Sequence, residues 1–444
     1  MASAAEQLAA NLSLSSFRGA TELKQRIWFT LGALLIYRLG TYIPLPGVDP
    51  QAVNALFQQN QGGIIGMFNL FAGGAVGRMA IFALNIMPYI TASIIIQLLT
   101  SAVPHLEHLK KERGEQGRKQ INQYTRYGTV VLAAMQGFGI AVGLERAEGI
   151  VINPGVFFEI SAVITLVGGT VFLMWLGEQI TARGVGNGIS LIIFAGIVAE
   201  LPGALVSTLE LGRQGALSTL VILMLLVMVA VVIAFIVFME RAQRRLIVQY
   251  PKRQVGNKMT GGENSHLPLK LNVAGVIPPI FASSLLLLPI TVANFSGTGG
   301  SDLLGNVTAM LGRGQPLYMA LYAGGIIFFC FFYTSIVFNP SDTADNLKRS
   351  GGFIPGIRPG ERTAEYLDKV LTRLTVVGAL YLTLVCLLPE ILINQYSVPF
   401  YLGGTSLLIV VSVTMDTVSQ VQSHLFAHQY EGLIKQSRVG RSRR

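Results

Sequence analysis

Few side chains in this 444-residue chain are placed to do chemistry. Arg38, Glu159, Glu200, Glu390 and Asp416 are the ionisable residues inside its long apolar runs. Ion-coupled pumps keep such groups at membrane depth. Most of the five stand near the ends of their runs, and the deepest, Asp416, reads as a helix-packing carboxylate on the cytosolic side. His105 and His108, and His424 and His428, have i,i+3 and i,i+4 spacing. Neither pair has the cysteine partners of a structural zinc site, so both read as surface histidines. No lysine follows a glycine, which excludes a Walker loop, and HExxH is absent. Cys330 and Cys386 lie in apolar runs, so neither a disulfide framework nor a thiolate metal site is supported. No enzyme activity, cofactor or metal is expected. Any work against a gradient must be powered from outside the chain.

The elements around these residues belong to a membrane. Hydrophobic residues make up 51% of the chain and charged ones 13%, against about 25% charged in soluble domains. A crossing helix needs about 20 mainly apolar residues. Ten candidates are read, at roughly 25–43, 79–103, 127–144, 153–177, 188–206, 216–239, 271–294, 317–338, 374–393 and 400–423. The fifth is the weakest, because Glu200 and Pro202 interrupt it. The run from Ile27 to Leu39 leads into further spans and is read as a retained anchor, not a cleaved signal peptide.

Basic residues orient the spans. With the N-terminus in the cytosol, cytosolic segments carry 28 of the 33 Lys and Arg and the opposite side carries 4. Both termini are therefore placed in the cytosol. The expected layout is a tail at 1–24, a first half of five spans at 25–206, a second half at 207–423 and a tail at 424–444. An odd number of spans per half permits an inverted repeat.

Between the first two spans, residues 62–77 form a glycine-bounded apolar stretch about half a span long. It reads either as an interfacial half-helix or as a re-entrant segment buried in protein. Ile86 and Ile90, and Ile189 and Ile193, each fall on one helix face by i,i+4 spacing. Such stacked isoleucines can pack against lipid or form a dewetted constriction. Spacing alone favours packing. Thr91, Ser93, Gln97, Asn272, Ser283 and Ser284 are polar positions on apolar helices, which bond between helices or mark a separable seam. Pro278-Pro279 is expected to kink the seventh span. The cytosolic loops 240–270 and 339–373 are long and basic. Residues 246–250 have strand character, so a protruding hairpin is expected, and a tight turn at 356–360 displays Arg358. The basic loops suit RNA phosphates, acidic lipid or an acidic protein surface.

The runs at 81–90 (IFALNIMPYI), 92–97 (ASIIIQ), 183–190 (RGVGNGIS), 266–270 (HLPLK), 274–278 (AGVIP) and 403–409 (GGTSLLI) resemble the SecY family. This is the family of the central channel subunit of bacterial protein translocases. The resemblance extends over residues 17 to 435. It implies an all-α polytopic fold of ten transmembrane helices, in two pseudo-symmetric inverted halves around a central pore. Carried over position by position, it implies a pore ring of Ile86, Ile90, Ile189, Ile193, Ile280 and Ile409. It implies a plug containing Ile64, Ile65, Met67, Phe68, Asn69 and Phe71, and a lateral gate containing Thr91, Gln97, Thr125, Asn272 and Leu288. Arg244, Arg245, Lys252, Arg253, Lys348 and Arg358 match the docking surface for the SecA ATPase and the ribosome. SecE and SecG are the implied partner subunits, with signal sequences and the lipid bilayer as further partners, in the bacterial inner membrane. Asn85 and Pro279 depart from the small residues expected beside the ring. The rival classes, a solute transporter and an inert lipid-binding scaffold, fit less well. The first predicts a polar midplane pocket and a coupling carboxylate, where the sequence offers isoleucines and only Asp416, and the second leaves residues 62–77 without a purpose.

Overall fold

The computed structural model describes residues 21–59, 69–112, 114–146, 149–214, 218–250, 253–255, 258–260, 264–296, 315–396 and 404–441. The chain forms two compact units. The first comprises residues 1–204, 290–301 and 413–444, and the second residues 205–289 and 302–412.

The first unit begins with α1 (Thr21–Gly40) and the short α2 (Pro50–Gln59), followed by α3 (Met87–Ala102), α4 (Pro104–Glu112), α5 (Gly114–Arg146), α6 (Val156–Arg183) and most of α7 (Gly188–Arg213). Helix α5 packs on both α3 and α6, and α1 packs on α6. Leu45, Leu84, Ala133, Leu144, Phe158 and Leu166 form the core between them. Close approach at this core depends on two glycines. A Cβ on Gly40 would strike the Phe82 ring, and one on Gly169 would strike the Ile81 carbonyl. The Phe82 ring is thereby sandwiched between Tyr37 and Phe172, with centroids 6.3 and 5.8 Å away and near-parallel planes. The second part of α13 (Gly404–Arg441) returns to this unit, where Leu425 and Val421 meet Leu23 and Val185.

The second unit carries α8 (Thr219–Arg241), the strands β1 (Gln243–Gln249), β2 (Arg253–Val255), β3 (Lys258–Thr260) and β4 (Asn264–Lys270), then most of α9 (Ile277–Ser296), α10 (Pro316–Val337), α11 (Pro340–Arg349) and α12 (Glu361–Tyr396). Helix α8 starts at a Ser218 cap, whose hydroxyl accepts from the Val221 N–H, and ends on Arg241. Its 23 residues give about 35 Å of helix, enough for a hydrocarbon layer of about 30 Å. Leu220, Leu223, Met224, Val231 and Phe238 stand exposed on it, and among its described residues only Ile236 is buried. That apolar exposure suits lipid and not water. Helices α10 and α11 pack on α12.

Among the described residues, seven helices are long and apolar enough to cross a membrane. The shorter α1, α3 and α9 lie at the three other expected spans. The fold is a mostly helical polytopic membrane fold with two small two-stranded antiparallel sheets, β1–β4 and β2–β3.

Three expectations about the spans are corrected. The second span was expected from residue 79, but the helix begins at Met87. Residues 72–86 run as successive turns, and Met79 and Asn85 have φ of 44° and 49°. No right-handed helix carries such residues. The fifth span was expected to be interrupted, but α7 continues through Glu200 and Pro202 to Arg213. A membrane helix tolerates proline where its neighbours satisfy the freed carbonyl. The kink expected at Pro278-Pro279 does not arise, because α9 begins at Ile277 and both prolines fall in its first turn. The N–H groups they lack there have no partner in any helix.

Candidate functional site

The isoleucines expected at the ring stand at helix beginnings. Ile86 is the N-cap of α3, and its carbonyl accepts from the Ile90 N–H at 3.1 Å, so the pair shares one face of the first turn. Ile189 and Ile193 occupy the first turns of α7. Ile86, Ile90 and Ile193 are buried and Ile189 is half-buried against Gly177. These four belong to the first unit. Ile280, half-buried on α9, and Ile409, buried on α13, belong to the second.

Of the plug residues, Ile64, Ile65, Met67 and Phe68 lie outside the described residues. Asn69 and Phe71 are described, and they open a tightly bonded return path. The Asn69 side-chain oxygen accepts from the Gly77 N–H at 2.7 Å, and its carbonyl accepts from the Gly74 N–H at 2.9 Å. Met79 and Ile81 bond to Leu45 and Ile43 at 2.9 Å each, forming a bridge around Pro44 and Ala80. Buried Asn85 donates from Nδ2 to the Phe71 carbonyl at 2.5 Å. Its positive φ accounts for the small residue expected at this place, since glycine adopts it freely and asparagine tolerates it. Asn85→Gly is expected to lose the hydrogen bond alone, about 1 kcal/mol. Asn85→Ala loses the bond and also carries a left-handed penalty of about 1–2 kcal/mol. Thermal unfolding of the purified complex should therefore rank wild type above Gly and Gly above Ala.

The gate residues divide in the same way as the ring. In the first unit, buried Thr91 and Thr125 return their hydroxyls to the Met87 and Ile121 carbonyls of their own helices. Gln97 donates to Ser93 at 3.3 Å, while its buried Oε1 has no hydrogen-bond partner among the described residues. In the second unit, buried Asn272 is fully engaged. It donates from Nδ2 to Glu240 Oε1 at 2.7 Å and to the Gly275 carbonyl at 3.1 Å, and it accepts from the Gly275 N–H at 3.1 Å. Leu288 lies on α9, and its side chain is outside the described residues.

The basic loops are built as one body. Strand β1 pairs antiparallel with β4 from Gln243↔Lys270 to Gln249↔Asn264. Gln249 then exchanges both backbone bonds with Phe353 of the second loop, at 2.9 and 3.0 Å. Leu246, Leu269, Ile354, Leu367, Val370 and Leu374 form the apolar floor. Above it Arg244, Arg245, Lys348 and Arg358 are exposed. The turn carrying Arg358 is set by Gly356 and Gly360, with φ of 82° and 106°. The hydroxyl of buried Thr363 donates to the Arg358 carbonyl at 3.0 Å. Lys252 lies outside the described residues, and Arg253 opens β2.

The sequence reading named Arg38 and Glu200 singly but missed the cluster they form with Arg78 at the far end of α1. Arg38, Arg78 and Glu200 converge there on Gly73 and Tyr42. The signal was available: opposite charges inside or beside spans, at positions the topology places on the same side of the membrane.

The family model for SecY matches residues 80–418. The chain is 58% identical over 425 residues to the protein translocase subunit SecY of Escherichia coli K12, covering 95% of this chain and 96% of that one. Among solved structures, one described as a protein conducting channel aligns with TM-score 0.66 at 18% identity, over 90% of this chain and 92% of that one. A second concerns the SecY plug domain, said to stabilise the closed state of the channel and maintain a membrane seal. It aligns with TM-score 0.61 at 19% identity, over the same shares. The fold of the two units, the family model and a near full-length relative agree, and the chain belongs to the SecY family.

Proposed function

We propose that this chain is the protein-conducting channel subunit of a bacterial translocase, a gated pore with no catalytic role of its own. It passes unfolded polypeptides across the inner membrane and releases apolar segments sideways into lipid. The observation that carries the reading is the pair of isoleucine turns opening α3 and α7, in the same unit as a bonded return path for a re-entrant segment. An apolar ring of Ile86, Ile90, Ile189, Ile193, Ile280 and Ile409 has no hydrogen-bonding side-chain groups. It excludes water when idle and closes around varied side chains without holding any of them. Residues 62–77 serve as the plug.

The halves 25–206 and 207–423 part along a gate bearing Thr91, Gln97, Thr125, Asn272 and Leu288. A signal sequence, with an apolar core of about 7–15 residues, enters there. A charge at mid-bilayer costs roughly 2.5–3.5 kcal/mol on the insertion scale, so partition sorts membrane segments from secreted ones. SecE and SecG complete the channel. The SecA ATPase or a translating ribosome, docked on the exposed arginines of the cytosolic loops, supplies the energy. Both termini lie in the cytosol.

Photocrosslinking tests the path. Probes at Ile90 and Ile280 are expected to capture a secretory chain stalled midway, while a probe at exposed Leu223 on α8 captures lipid only. Normal export without ring crosslinks would overturn the pore assignment.

A further inference from the structure

The charges on the far side of the first unit form a closed device around one carbonyl. Arg38 Nη1 donates to the Gly73 carbonyl at 2.6 Å, and Arg78 Nη2 donates to the same oxygen at 2.8 Å. Both guanidinium groups lie over the Tyr42 ring, 4.8 and 4.2 Å from its centroid. Arg38 also donates to the Tyr42 hydroxyl at 2.9 Å. Two cations converging on one acceptor and one ring repel each other. Glu200 Oε1 stands 4.0 Å from Arg38 Nη2 and 3.9 Å from Arg78 Nη2, and so offsets their mutual repulsion from a single point.

The backbone is shaped to reach this point. Gly73 and Gly74 have φ of 62° and 79°. A Cβ on Gly74 would meet Arg78 Nη2 and Glu200 Oε1 at 2.5 Å each. A Cβ on Gly196 would meet the Phe71 carbonyl at 2.6 Å. Gly196 and Glu200 are four residues apart on α7, hence on one face. That face therefore offers room for the segment at one turn and a charge to hold it at the next.

We propose that Glu200 is a positioning residue for the plug. Its carboxylate holds Arg38 and Arg78 together on the Gly73 carbonyl, so that residues 73–74 are a fixed downstream pivot from which the plug hangs. This rests on the plug reading of residues 62–77. With the carboxylate neutralised, the two guanidinium groups no longer share the acceptor, the pivot loosens and the idle seal weakens. Transport of a polypeptide, which displaces the plug in any case, is spared.

The test measures the idle ion conductance of the complete complex in planar bilayers. Glu200→Gln is expected to raise it severalfold, with thermal unfolding close to wild type, and Glu200→Asp is expected to stay near wild type. Removing one of the two repelling cations, in E200Q/R78Q, should bring the leak below that of E200Q alone. A merely structural role for Glu200 predicts a worse leak in the double variant, and that result would overturn the proposal. Should E200Q fail to assemble, R38Q/R78Q, which removes both donors, carries the same expectation of leak. Deletion of residues 62–68 separates the two readings. A leaking deletion beside a tight E200Q overturns the pivot alone, whereas a tight deletion overturns the plug reading itself.

Discussion

With Ile90 and Ile409 both replaced by asparagine, the idle complex is expected to conduct ions while still assembling in the membrane. Both side chains are buried, at 6% and 1% exposure, and neither carries a polar atom. A buried side-chain amide recruits water, because leaving it unpartnered costs about 1–3 kcal/mol. Each substitution therefore shifts the dry-to-wet equilibrium of the constriction by roughly that amount, about 5- to 150-fold. Both positions belong to the one proposed constriction, so their effects are expected to couple rather than simply add. Single-channel recording on purified complex checks this. Ile90→Leu and Ile409→Leu, which keep the volume apolar, should stay closed. A closed double-asparagine channel would remove the ring from the gate.

Arg358→Glu is expected to abolish motor-driven export while leaving the protein stable and inserted. Its backbone is fixed by the Thr363 hydroxyl and by two glycines with positive φ, and its guanidinium is exposed. Substitution at such a surface position changes stability by about 0.5 kcal/mol at most. Reversal of one partner in a charge pair across an interface removes coupling of about 1.5–7 kcal/mol. The motor should therefore bind at least about tenfold more weakly. Translocation of a preprotein into inverted vesicles, with motor binding measured in parallel, decides the matter. Export at the wild-type rate in R358E would exclude this arginine from docking.

The helices were legible because bilayer burial leaves long apolar runs that no other constraint erases. The hairpin was legible for the same kind of reason: residues 246–250 alternate, and Leu246 and Val248 are the buried pair. Local stereochemistry hid the rest. Residues 79–86 read as the start of a span because they are apolar, yet they fold as turns through the left-handed Met79 and Asn85. Pro278-Pro279 read as a kink because its place relative to the helix start was unknown. The charge cluster escaped because Arg38, Arg78 and Glu200 are far apart in sequence, and only packing of α1 on its neighbours brings them to Gly73. The ring and gate positions came from likeness to a family and not from pattern, since isoleucines at i,i+4 occur on any lipid-facing helix.

The late start of α3 has a consequence for the membrane itself. The helix has 16 residues, about 24 Å at 1.5 Å per residue, against a hydrocarbon thickness of about 30 Å. Bonded turns at 72–86, rather than helix, complete the crossing there, and Ile95 and Leu99 are its exposed apolar residues. A helix too short for its bilayer draws the two lipid surfaces together, at fractions of a kcal/mol per Å of mismatch. Where α3 itself, rather than the turns, meets lipid, the bilayer beside the proposed gate is expected to be thinned before any substrate arrives. A polar flank leaving the pore there meets a thinner barrier than the surrounding membrane offers. Thicker bilayers should slow sideways release more than they slow passage straight through.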